Sequence, residues 1–274
     1  MKEIEEIQRV ISEIENIDLN NLYAYSTIEQ IIKNDLIQVA LPSKIFEPGL
    51  KLHRCCINDD ENDFKTVDRI SFRTDLENIT EFGRANMPNQ SIFYSADVLP
   101  TAFLETSMVF RGENYKNIET ISITTGHWES TEKLKFALFI GNKNAQEKNE
   151  LIRGLNTDVY NYTFKLFKED SEKILKILDF ISNEFTINTE GNSNLYKISC
   201  AFAQLAYLTA DGIIYPSLQR RFEGLNFAIK PEVVTRKLRL VSATHDKFIK
   251  FGGKEYKHRE RNETIRIDGN KLVW

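Results

Sequence analysis

Strand-length apolar runs and stretches of helical period follow one another along this chain in no regular order, and that irregularity is what most restricts its fold. LHRCCI (52–57), SIFYSA (91–96), IETISITT (118–125), LKFALFIG (134–141), ADGIIYPSLQ (210–219) and KLRLVSA (237–243) each read as a strand, alone or running into a turn. Ile4, Ile7, Ile11 and Ile14 recur at three- and four-residue spacing and predict an amphipathic helix at the start. Further helices are expected over Asp18–Leu41 in pieces, over Leu99–Phe110 and over Tyr196–Leu208. A longer helical tract runs from about Ala145 to Phe185, with Gly154 and Asn156 expected to break its early part. A doubly wound sheet requires steady βαβ alternation, which is absent, so the expected class is α+β: a mixed sheet core with flanking helices.

LPSKIFEPGL (41–50), rich in Pro and Gly, reads as a connector and sets the expected division: a helical extension over 1–45, the main domain over 46–250, and a tail over 251–274. GHWESTE (126–132) is expected to turn between two strands, Asp59–Asp63 to form a polar loop, and Asp268–Gly269–Asn270 to turn a terminal hairpin. The isoleucine helix can dock on its own domain, or serve as a seam for self-association or a partner.

A net charge of −4 argues against a nucleic-acid backbone as direct partner, and the basic stretches Arg220–Gly224 and Lys254–Arg261 are interrupted by glutamates. No window holds the roughly 18 apolar residues of a membrane span. The opening MKEIEEIQRV is acidic and amphipathic, unlike a secretion signal. Cys55, Cys56 and Cys200 make neither a disulfide framework nor a CxxC knuckle, so a reducing cytoplasm is the expected setting. Neither GxGxxG nor GxxxxGK[ST] occurs, nor a GxSxG elbow. His53, His127, His245 and His258 are far apart in sequence with no metal-ligand spacing, so no metal is expected. Cys200, inside ISCAFAQLAYL, reads as a packed core thiol.

Three pieces survive these eliminations: Arg54 in LHRCC, the stretch GRANMPNQSIFYSADVLPTAFLET (83–106), and DGIIYPSLQRRFEGLNFAI (211–229). In this order they resemble the RES domain, a family of NAD+-consuming toxin enzymes with an ADP-ribosyltransferase-like fold. The likeness covers about Phe46 to Val234. Pro88–Asn89–Gln90 departs from it where the family commonly has a glycine, and the helical tract at 145–185 is an insertion.

The resemblance implies Glu105, Arg54 and Ser217 as catalytic residues, and Arg84, Asn86, Tyr94, Tyr215 and Asn226 as NAD+-binding ones. The chemistry agrees with those residue types. Cleaving the nicotinamide–ribose bond develops positive charge on the ribose, which a carboxylate such as Glu105 stabilises. Arginine forks such as Arg54 and Arg84 suit the pyrophosphate in the absence of a glycine cradle. Tyr94 can pack on nicotinamide or ribose, and Ser217 and Asn226 offer hydrogen bonds near a turn. The resemblance further implies that NAD+ is a substrate rather than a cofactor, that water or phosphate accepts the ADP-ribosyl group, and that a small antitoxin, often a helix-turn-helix protein, restrains the enzyme. Transfer to a macromolecule, or a catalytically dead interaction module, remain the alternative readings.

Overall fold

The computed structural model describes residues 3–36, 41–58, 63–107, 110, 120–189, 191–251 and 255–274. In chain order its elements are α1 (Ile4–Glu15), α2 (Ala24–Ile31), β1 (Ser43–Phe46), β2 (Lys51–Ile57), β3 (Phe93–Ala96), α3 (Leu99–Thr106), β4 (Thr120–Ser130), β5 (Leu134–Leu138), α4 (Lys143–Lys148), α5 (Glu150–Phe167), α6 (Ser171–Glu184), α7 (Lys197–Tyr207), β6 (Gly212–Pro216), β7 (Leu225–Ile229), α8 (Pro231–Lys237), β8 (Leu238–Phe251), β9 (Glu255–Glu263), β10 (Arg266–Asp268) and β11 (Lys271–Val273). The class is mixed α+β, as the order of apolar runs predicts. No helix among the described residues is long and apolar enough to cross a membrane. The chain forms two compact units, each assembled from separated segments. One takes Met1–Lys44, Asp75–Gln90 and Lys135–Glu223, the other Ile45–Thr74, Ser91–Leu134 and Gly224–Trp274.

The first unit is chiefly helical. α1 turns Ile7, Val10, Ile11 and Ile14 inward, the face its spacing defines, and packs on α6, while α2 packs on α7. Each fully buried isoleucine contributes on the order of 1.5–3 kcal/mol. The tract at 145–185 breaks elsewhere than Gly154 and Asn156, both of which lie inside α5. The break falls at Asn149, whose side chain accepts from Ile152 N and caps α5, a stronger local signal than a glycine in a helix already held by packing. A second break follows at Lys168, which takes φ 44°. β5 and β6 pair in parallel, with Phe136 opposite Gly212 and Leu138 opposite Ile214.

At the end of α6, Glu184 is 8% exposed and its Oε2 lies buried with no hydrogen-bond partner. Burial, and the Glu15 carboxylate after it, push the Glu184 carboxyl up to about 7. The folded chain therefore binds this proton more tightly than the unfolded chain does. The stability it confers is full below about 4.5 and lost as pH rises through 7. Glu184→Gln should accordingly raise Tm at pH 8.5 relative to the parent and have little effect at pH 5, as calorimetry at the two pH values would show.

The second unit holds six strands paired antiparallel in the order β7-β3-β2-β4-β8-β9. GHWES is not a turn. β4 runs through Gly126 to Ser130 and pairs with β2 on one side and β8 on the other. Gly126 is needed there because a Cβ would sit 2.6 Å from Trp128 Nε1. The connector also contains a strand, β1, before Gly49 turns the chain at φ 99°.

Side-chain alternation sorts the strands into two faces. One face gathers Cys55, Ala96, Ile121 and Ile123 under Ala102 and Phe103 of α3. The other gathers Ile70, Ala243 and Leu240 with Leu272 of the terminal hairpin. That hairpin turns at Gly269–Asn270, as expected, with Gly269 at φ 58° and Asp268 opposite Lys271. α3 ends at Thr106 rather than Phe110, where Ser107 takes extended backbone. Most of the expected loop at Asp59–Asp63 lies outside the described residues.

Candidate functional site

Four of the eight expected site residues belong to the second unit. β3 bonds to β7 through Asp97, whose N–H donates to Leu225 O. By antiparallel alternation Tyr94 and Ala96 then turn their backbone groups the other way, toward β2. β2 meets β3 at one pairing only, His53 with Ala96. Beyond it Tyr94 O faces a gap, and Arg54 fills that gap by donating from Nη1 at 2.8 Å. The Arg54 guanidinium carbon lies 5.4 Å from the Phe93 ring centroid, and its Nε is buried without a partner. An arginine held by one carbonyl and an aromatic ring keeps a donor that no protein group among the described residues uses.

Glu105 reaches its place from α3. Its Oε1 accepts from Asn226 Nδ2 at 2.8 Å, joining residues 121 apart in the chain. Asn226 pairs with Ala96 and shares a face with Tyr94, which pairs with Ala228. α3 is fixed over this face at both ends: Thr106 Oγ1 donates to Cys55 O at 3.3 Å, and Gly224 packs so close that a Cβ there would lie 2.0 Å from Thr101 Oγ1. The structure thus unites Arg54 with Tyr94, and Glu105 with Asn226. No hydrogen bond or ion pair joins Arg54 to Glu105: Arg54 leaves β2 opposite Gly126, on the face away from α3, and only its guanidinium returns to the plane of the strands. Cys55, beside Arg54, is buried, and that burial pushes its thiol far above the usual range, away from the reactive thiolate.

The other four residues belong to the first unit. Arg84 donates from Nη2 to Ile187 O at 2.8 Å and lies over the Tyr196 ring at 4.8 Å, with Nη1 buried and without a partner. Asn86 closes the turn, its carbonyl accepting from Gly83 N and its side chain donating to Met87 O. Asn89 in Pro88–Asn89–Gln90 takes φ 60°, the left-handed backbone that favours glycine. Tyr215 is buried against Phe185, centroids 5.2 Å apart. Ser217, fully buried, accepts from Arg220 N at 3.1 Å. The loop after it holds two successive non-glycine residues in the left-handed region, Arg221 at φ 52° and Phe222 at φ 71°. Phe222 N donates to Ser217 O, and Asn149 Nδ2 donates to Phe222 O. Such strain persists only where surrounding bonds fix it, and it collects at functional loops. Two cavities of this unit, about 560 and 220 Å3, lie along α5 and β5 and are lined by none of the eight residues.

Sequence spacing gave no sign of a histidine pair. β2 and β4 place His53 opposite His127, with the Nδ1 atoms 2.8 Å apart. The residues are 74 positions apart, so only the strand pairing brings them together. Burial holds both imidazoles below the ordinary histidine range, His127 at about 4. No protein-family model matches this chain, and no curated protein matches it.

Proposed function

We propose that this chain is an NAD+-consuming enzyme of the RES toxin type, with an ADP-ribosyltransferase-like core, that cleaves the nicotinamide–ribose bond and depletes NAD+. The observation that carries this reading is the Asn226–Glu105 hydrogen bond: the resemblance names the two residues separately, and they meet at 2.8 Å. In this reading Glu105 faces the ribose as it becomes cationic, and Asn226 fixes the carboxylate so that little reorganisation is needed as the charge develops. Arg54 holds a pyrophosphate oxygen through its guanidinium, as the resemblance implies. Tyr94, on the same face as Asn226, packs on nicotinamide or ribose. The resemblance separately assigns NAD+ binding to Arg84, Asn86 and Tyr215, and a catalytic role to Ser217. Nicotinamide leaves as a neutral ring, so the site needs no strong general acid at the leaving group. Water or inorganic phosphate takes the ribose carbon, and a small antitoxin protein restrains the enzyme.

Mass spectrometry of the products from NAD+, with and without phosphate, separates the acceptors. ADP-ribose in both reactions identifies a glycohydrolase, and ADP-ribose 1″-phosphate appearing only with phosphate identifies a phosphorylase. Label from NAD+ retained on a macromolecule would replace this acceptor assignment with transfer.

A further inference from the structure

Four polar side chains of the second unit stand in line across β2, β4 and β8. Asp246 is fully buried and paired through Oδ1 with Arg261 Nε at 2.7 Å and His258 Nε2 at 2.8 Å. A carboxylate so paired accepts hydrogen bonds and gives none. Its Oδ2 accepts from the Thr244 hydroxyl at 3.3 Å. That hydroxyl has a single proton, so toward His127 Nε2, 3.2 Å away, its oxygen acts as acceptor. His127 therefore carries its proton on Nε2 and presents a bare Nδ1. The facing Nδ1 of His53 is 2.8 Å from it, a separation that requires one proton between them, and His53 supplies it. The remaining nitrogen of His53, Nε2, is then an unprotonated lone pair that accepts no hydrogen bond among the described residues.

The geometry points to an acid–base site: Asp246, Thr244 and His127 fix the tautomer of His53, whose Nε2 takes the proton of a hydroxyl-bearing ligand. In that step the ligand O–H bond breaks, the proton forms an N–H bond at Nε2, and the electron pair stays on oxygen. The resulting imidazolium donates more strongly to His127 Nδ1, and the chain of dipoles ends on the Asp246 carboxylate. His53 is the catalytic residue of this step, and His127 and Thr244 are positioning residues. The charged groups around the pair are Lys51 on β2, Asp97 between β3 and α3, and Arg261 and Glu263 on β9. Glu105, the one charged residue of α3, is engaged by Asn226. Burial keeps both imidazoles neutral at pH 7, as the relay requires. This inference goes beyond NAD+ cleavage and stands without it.

Tautomer-sensitive 15N NMR of histidine-labelled protein tests the relay at pH 7.5. The expected spectrum has His53 protonated at Nδ1 and His127 at Nε2. Thr244→Ser retains that pattern, whereas Thr244→Val removes the acceptor and mixes the tautomers of both rings. Diethyl pyrocarbonate, which acylates unprotonated imidazole nitrogen, should modify His53 severalfold faster in the parent and in Thr244→Ser than in Thr244→Val. His53 protonated at Nε2 in the parent overturns the relay whatever the variants do. Spectra and acylation rates that are identical in Thr244→Val also overturn it.

Discussion

Glu105→Ala lowers kcat for nicotinamide release from NAD+ by about 10³-fold, the scale of removing one preorganised electrostatic group from a site of charge development. KM changes little, because the carboxylate acts on positive charge that leaves the pyridinium ring and reaches the ribose only in the transition state. Glu105→Gln separates charge from hydrogen bonding. The amide oxygen can still accept from Asn226, so a loss in Glu105→Gln nearly as large as in Glu105→Ala assigns the effect to charge. Steady-state kinetics with thermal melting of each variant measures both. Glu105 is partly buried with Asn226 as its partner, so Asn226→Ala should lower kcat too, by less, since it frees the carboxylate without removing it.

Gly224→Ala carries the largest expected cost in stability. The new methyl would lie 2.0 Å from Thr101 Oγ1 and 3.1 Å from Thr101 Cβ and Cγ2, and Thr101 is fully buried on α3. Relief requires α3 to lift from the strands, and overpacking of this kind costs about 1–3 kcal/mol or more. The same displacement carries Glu105 away from Asn226, so nicotinamide release should fall with stability. Thr101→Ala in the Gly224→Ala background removes the nearest atoms and should recover part of both. Chemical denaturation of the two single variants and the double variant measures the coupling. Additive losses would show that Gly224 acts through something other than α3.

Local signals made much of this fold legible. The isoleucine spacing of α1 defines its buried face, and the DGN turn closes the terminal hairpin as expected. β2, β3, α7 and β6 fall where their apolar runs lie. What failed was set by a distant pairing in one case and by a competing local cap in the other. Gly126 reads as a turn residue, yet pairing on both sides draws β4 straight through it. Gly154 reads as a breaker, yet the Asn149 cap starts α5 upstream and packing carries the helix past the glycine. The site divides in the same way. The residues of the Arg84–Asn86 turn and the Ser217 loop lie within a few positions of one another and are readable as motifs. The Asn226–Glu105 bond spans 121 residues and the His53–His127 pair 74, so each exists only once strands pair. The gap between β2 and β3 that receives the Arg54 guanidinium has no sequence signature, because it follows from two strands parting after one pairing.

The most direct measurement is the time course of nicotinamide release when the purified chain, free of any partner protein, is mixed with NAD+. NAD+ cleavage at this site predicts release in multiple turnovers, matched mole for mole by ADP-ribose or its phosphate and lost in Glu105→Gln. Intact NAD+ after prolonged incubation, or release that Glu105→Gln leaves unchanged, would contradict it.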